Sequence, residues 1–180
     1  MATLPISESA QGFVPVEEYL RTTYEPDCDY VDGRIEERNL GEYEHGRLQL
    51  LLGFLFMKFE ASWGVRAVTE VRTRINRTRY RIPDISVLRA DAPRERIISH
   101  PQLIAIEVLS PADRPRRMQE KFNDYMDLGV EHIWVFDAER RMAWTADRCG
   151  LHIAENGELT VPGTPIRVGL GELFAELDAK

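Results

Sequence analysis

The sequence predicts a mixed central β-sheet flanked by helices, of the α/β or α+β class. Three observations carry that expectation. Leu48, Leu51, Leu52, Leu55, Phe56 and Phe59, and again Met118, Phe122, Tyr125 and Met126, recur at spacings of three and four, as on helices with one buried face. Residues 103–109 and 133–137 are short runs, apolar almost throughout, as strands covered on both faces are. Helical and strand segments interleave along the chain, which gives layers of sheet and helix.

A chain of 180 residues, 43% hydrophobic and 29% charged, supplies one core, so a single domain over residues 13–180 is expected behind a flexible N-terminal tail, residues 1–12. The first helix is expected at Pro15 to Leu20, with proline near its opening turn. Asp32-Gly33 between Tyr30-Val31 and Arg34-Ile35 is a hairpin signal. The leucine-rich helix spans about residues 44–60, and Gly64 resets the chain. Residues 65–75 read as one half-buried strand, with Glu70, Arg72 and Arg74 on a common face. A turn at residues 76–78 leads into a second strand over residues 79–88, and residues 91–96 form a charged loop. After the apolar strand at 103–109, Asp113 or Arg114 ahead of Pro115 opens a helix that Gly129 closes. The strand at 133–137 pairs with 142–145. Short strands near 151–154 and 165–168 precede a last helix at 170–177.

Composition excludes several classes. The net charge of −7 rules out a bulk polycation. Cys28 and Cys149 are the only cysteines, which excludes a cysteine zinc cluster and a disulfide scaffold and fits a reducing, cytoplasmic setting. The longest apolar stretch, residues 48–57, is too short to cross a bilayer, and no secretory signal opens the chain. The four histidines have no zinc-hydrolase spacing, and neither a nucleophile elbow nor a phosphate-binding glycine loop is present.

Charge is distributed unevenly. Residues 66–121 hold thirteen Lys and Arg against seven Asp and Glu, a net of +6, which leaves −13 on the remainder. An arginine-rich face suits a polyanion, with Arg72, Arg74, Arg79 and Arg81 on the hairpin as candidates to hold a nucleic-acid backbone. A solvated hairpin with salt links to the acidic remainder is the plainer reading of the same residues.

The sharpest clue is a carboxylate in an oily strand. Glu107 sits inside Leu-Ile-Ala-Ile-Glu-Val-Leu, where an isolated charge costs several kcal/mol unless paired or metal-bound. Pro83-Asp84 opens a strand with an apolar interior, since proline favours a strand start or edge. Two carboxylates on neighbouring strands suit a hard cation such as Mg²⁺, which lowers the pKa of a bound water. Lys121, four residues before Tyr125 on the following helix, is placed to stabilise developing charge if it turns inward. A surface lysine making helix pairs is the alternative.

Pro83-Asp84 followed by Glu107-Val-Leu resembles the PD-(D/E)XK nuclease core, with Leu109 standing where that core carries its lysine. More closely, the chain resembles the Uma-two family of restriction-endonuclease-like proteins. The matching words are Arg79-Tyr-Arg-Ile-Pro-Asp84, Glu107-Val-Leu-Ser-Pro111, Lys121 with Tyr125, and Gly129 to Asp137, with Tyr30 to Arg34 and Glu44-His45 matching the N-terminal half. The resemblance spans about residues 15–177. It implies a restriction-endonuclease-like fold and a metal-dependent DNA endonuclease. It further implies that Asp84, Glu107 and the Val108 carbonyl ligate Mg²⁺ or Mn²⁺, that Lys121 is the lysine displaced from the strand to the helix, and that the chain pairs as a homodimer. Glu44, His45, Glu70 and Tyr125 are accessory candidates. A catalytically silent module that binds nucleic acid or protein on the same fold is the alternative that Leu109 motivates.

Overall fold

The computed structural model describes residues 3–5, 12–39 and 41–179. In chain order the elements are β1 (Thr3–Pro5), α1 (Val16–Arg21), β2 (Thr23–Glu25), β3 (Cys28–Val31), β4 (Arg34–Glu37), α2 (Tyr43–Trp63), β5 (Val65–Thr69), β6 (Thr73–Arg74) and β7 (Arg79–Arg81). There follow β8 (Ile85–Arg89), β9 (Ile104–Leu109), α3 (Pro115–Leu128), β10 (His132–Asp137), β11 (Met142–Asp147), β12 (Gly150–Ile153), a short 3₁₀ turn, β13 (Glu158–Thr160), β14 (Arg167–Gly169) and α4 (Leu170–Asp178). Most of the segment expected to be a flexible tail lies outside the described residues; within it β1 runs parallel to β2.

The large sheet has six strands in the order β12-β11-β10-β9-β8-β5. Its central pair, β9 and β10, is parallel and every other neighbour is antiparallel, so the expected mixed sheet is present. β9 and β10 are joined through α3, as a parallel pair requires a crossover. One face carries the core built by Leu48, Leu52 and Phe56 of α2 and Leu173, Phe174 and Leu177 of α4. Met118, Phe122 and Tyr125 of α3 cover the other face, against Ala105, Ile133 and Val135. Each such apolar side chain contributes about 1.5–3 kcal/mol on burial.

A second sheet, β4-β3-β7-β6, packs α1 through stacked tyrosines, Tyr19 and Tyr30 lying 4.9 Å apart. Its β3–β4 hairpin turns on Asp32 (φ 48°) and Gly33 (φ 89°), the positive pair that a two-residue loop of this kind needs. Gly129, at φ 94°, closes α3 as expected.

Two sequence expectations need correction. Residues 65–75 are not one strand. β5 ends at Thr69, Glu70 adopts a left-handed φ of 54°, and the chain leaves the large sheet to form β6 in the small one. Glu70 and Arg72 therefore do not share a strand face. Nor is 79–88 continuous: β7 belongs to the small sheet and β8 to the large one, and Ile82-Pro83-Asp84 is the crossing between them. Proline's missing donor and fixed φ account for the break. The strand β13 carried no clear alternation in sequence and was not anticipated.

Candidate active site

That crossing positions the site. Ile85 pairs with Ile106 in the antiparallel β8–β9 ladder, so Asp84 and Glu107 are the next opposed positions and their side chains share a face. Odd positions of β9 look toward α3, which places Glu107 and Ala105 under that helix. Asp84 is 3% exposed and Glu107 4%.

Neither carboxylate is left bare. Asp84 Oδ2 accepts the Val108 N–H at 2.8 Å and Oδ1 accepts Arg38 Nη2 at 2.5 Å. His45 Nε2, reaching in from α2, stands 3.5 Å from Asp84 Oδ2. Lys121 Nζ donates to Glu107 Oε2 at 2.7 Å, and the Tyr125 hydroxyl donates to Glu107 Oε1. Lys121 is also 3.4 Å from the Ile82 carbonyl. Lys121 and Tyr125 lie one turn apart on α3 and thus point the same way. The amphipathic pattern of α3 places a cation on its buried face because Glu107 waits there. The burial of Glu107 therefore does not by itself demand a metal ion.

The electrostatics follow from this crowding. Burial, opposed by Lys121 and reinforced by Asp84, pushes the Glu107 carboxyl up to about 7. Burial acts the same way on Asp84, but contact with His45 and the charges of Lys121 and Arg38 prevail and hold it below the ordinary carboxylate value. Burial would lower Lys121, yet Glu107 beside it keeps the ammonium's pKa above the usual lysine value. His45 is likewise raised: Asp84 outweighs burial.

The donor set suits a hard cation. Two carboxylates face each other across neighbouring strands, and a strand residue directs its N–H and C=O to the same edge, so Val108, whose N–H meets Asp84, turns its carbonyl to that side too. Among the described residues no group of three or more His, Cys, Asp or Glu is arranged to hold a metal. Two carboxylates, a carbonyl and waters are nevertheless a common Mg²⁺ shell. The enclosure has a volume of ≈ 40 Å³, room for about one water, with Arg38, Asn39, Ser110 and Arg117 at its walls.

The remaining candidates divide. Glu44 faces away from the site and binds Arg141 at 2.8 Å, because adjacent helix residues point about 100° apart. Glu70 is exposed and reaches the site only through Arg38, at 3.6 Å. Arg72 stacks its guanidinium 4.7 Å from the Tyr19 ring and donates to the Thr22 carbonyl. Arg74 is exposed. Arg81 and Arg79, expected to hold phosphate, are instead committed to carboxylates. Arg81 is fully buried and meets Asp124 at 2.7 Å, Glu36 at 2.8 Å and Asp29 at 3.2 Å. Arg79 pairs with Asp32 at 2.6 Å and Asp124 at 2.8 Å. Arg38 was missed: it follows a hairpin in a polar stretch that carries no local signal.

The family whose profile matches residues 16–155 is described as "Uma2: Putative restriction endonuclease". The chain belongs to the Uma2 family. Among solved structures, a protein of Anabaena variabilis ATCC 29413 described as "a putative nuclease belonging to DUF820" superposes with a TM-score of 0.77 at 20% identity, covering 91% of this chain and 99% of that one. It shares the fold. A cryo-EM structure of a DrdV–DNA complex matches 70% of this chain and 10% of that one at 19% identity, with a TM-score of 0.39. No curated protein matches the chain. The fold expected of a Uma2 member, a mixed sheet between helices, is the one described above.

Proposed function

We propose that this protein is a metal-dependent endonuclease hydrolysing phosphodiester bonds in DNA, with Mg²⁺ or Mn²⁺ held by Asp84, Glu107 and the Val108 carbonyl. The observation that carries this reading is the opposed pair of buried carboxylates with a buried ammonium 2.7 Å from one of them. A divalent cation at such a pair supplies Lewis acidity toward a phosphate oxygen. Lys121 has three donors, of which Glu107 takes one and Ile82 a second at long range, so one remains for a water or a phosphate oxygen. Tyr125 fixes the rotation of the Glu107 carboxylate, and Arg38 places a second permanent cation in the enclosure. Exposed Arg74 is the hairpin residue left to meet the DNA backbone. A cytoplasmic setting accords with the free thiols of Cys28 and Cys149.

A second copy of the chain is the proposed protein partner. Tyr43, Leu50, Phe54 and Met57 are each more than 60% exposed and form one stripe along α2, a larger apolar surface than a lone helix face needs. Among the described residues no helix is long and apolar enough to cross a membrane.

One observation favours a second reading, a catalytically silent module. Arg38 and Lys121 already neutralise both acids, and Leu109 offers no strand lysine. Supercoiled plasmid incubated with Mg²⁺, Mn²⁺ or chelator separates the two. The nuclease reading expects metal-dependent cutting that Asp84→Asn and Glu107→Gln each reduce on the order of 10²-fold or more. Equal cutting by the variants refutes the site, and DNA binding without cutting leaves the silent module.

A further inference from the structure

Beyond Leu109 the α3 face of the sheet opens into a chamber of ≈ 600 Å³. It lies between the ends of β9 and β10, the first half of α3 and strand β12. Ser110, Asp113 and Met118 line both this chamber and the metal-site enclosure, so the two share a wall. Leu109 is two residues beyond Glu107 on the same strand, hence about 7 Å farther along the same face. A lysine in that position would carry its charge toward this space; leucine makes it an apolar floor, with Met118 and Phe122, while exposed Leu151 stands at the outer lip.

The rim is polar and rich in acceptors. Gln119 commits its amide nitrogen to Asn123 and the Asp147 carbonyl, which leaves its own carbonyl oxygen to accept. Asp137 is occupied by Arg140 and Asp113 by Asn39 and the Ser110 N–H, whereas Glu139 stands exposed at the edge. The Ser110 hydroxyl, buried in the shared wall, has no hydrogen-bond partner. Three acids against one arginine repel a phosphate. An apolar slot with accepting edges fits a flat, neutral, donor-bearing ring.

We propose that this chamber receives one unstacked nucleobase of the strand held at the metal site, and that it prefers bases with an exocyclic amino group over thymine. The proposal rests on the nuclease reading: a phosphate at Asp84 and Glu107 has its neighbouring base within reach of the shared wall. Volume, apolar floor and acidic rim then sort the nucleotide, with phosphate on the side of Arg38 and Lys121 and base on the side of Leu109. Carboxylate and amide oxygens accept from the amino group of cytosine, adenine or guanine, and thymine offers no such group.

The test uses DNA oligonucleotides carrying a single 2-aminopurine, moved position by position through a cleaved sequence. Each is mixed with the whole protein while metal is withheld by chelation. Unstacking raises the fluorescence of the probe, and a rise of about fivefold at one position is expected. Leu151→Trp, at the chamber's outer lip and away from the metal ligands, is expected to cut that rise at least in half. Gln119→Leu is expected to keep the rise and to narrow the preference for cytosine over thymine at the same position, read as relative cleavage. Melting temperatures of both variants confirm that they are folded, and either one alone tests the chamber. Metal-dependent cleavage with no rise at any position, or a rise untouched by both variants, overturns the chamber while the nuclease reading stands. Absence of both cleavage and binding overturns the two together.

Discussion

Lys121→Met keeps the volume of the side chain and removes the ammonium bonded to Glu107. At pH 9 both charges of the pair are present, since Glu107 raises the lysine's pKa against the effect of burial. The substitution then leaves a carboxylate that is 4% exposed with the Tyr125 hydroxyl as its partner, a loss that costs about 3–5 kcal/mol. At pH 6 the balance differs. Burial, opposed by Lys121 and helped by Asp84, pushes Glu107 up to about 7, so most of it is already protonated. Removal of the lysine then costs about 1.5–3 kcal/mol, the worth of one hydrogen bond to a charged group. The sign follows from linkage: a group whose folded pKa lies above its ordinary value of 4.5 gives its full stability below that value and loses it as pH rises through the folded pKa. Lys121→Met lifts the folded pKa further, so the gap between variant and wild type widens from pH 6 to pH 9 by about 2 kcal/mol. Urea unfolding followed by the fluorescence of buried Trp134 measures both midpoints. A gap equal at the two pH values, or under about 1 kcal/mol at pH 9, would refute the ion pair as the support of Glu107.

Arg81→Met strands Asp29 and Asp124, both buried, and is expected to destabilise the fold by about 3–5 kcal/mol in the same unfolding assay, with DNA affinity changing only as folded protein is lost. Arg74→Ala is expected to do the reverse: stability within about 0.5 kcal/mol of wild type, and DNA affinity lowered with a salt slope smaller by about 1. On the proposed homodimer, the wild type is expected to sediment as a dimer and Leu50→Glu on the α2 stripe as a monomer; an unchanged dimer would place the interface elsewhere, and a monomeric wild type would remove it.

The sequence shows local periodicity and burial well, and long-range partnership poorly. The face of α3 and the buried run of β9 were both legible because their apolar residues are spaced by the geometry of helix and strand themselves. Glu107 stood out because a charge in such a run demands a partner, and Lys121 was a candidate because it lies on the helix after that strand, four residues before Tyr125, and matches the family's displaced lysine; its inward direction came only with the structure. The same reasoning applied to Asp29, an acid inside Cys28–Val31, would have flagged the sink into which Arg81 feeds. Counting charge over residues 66–121 could not reveal it, since Asp29, Asp32 and Asp124 lie more than forty positions from the arginines they hold. Glu44 and His45 show the limit of residue-level resolution on a helix: one position decides between a surface ion pair and the wall of the candidate site. The break at Glu70 rests on a single left-handed residue, which no alternation pattern encodes.

The crossing at Ile82-Pro83-Asp84 has a consequence for how this fold can be divided. Its amide is held by Asp29 at 2.9 Å, its carbonyl faces Lys121, and its last side chain is gripped by Arg38, which follows β4. Of the four side chains that contact the acid pair, Arg38 thus arrives from the end of the small sheet, while His45 comes from α2 and Lys121 and Tyr125 from α3. Grafting the six-stranded sheet and its helices onto another scaffold without the small sheet would carry over the acids but lose Arg38 at Asp84 and the Asp29 that anchors the crossing. The two sheets are one inheritance, to be transplanted whole or not at all.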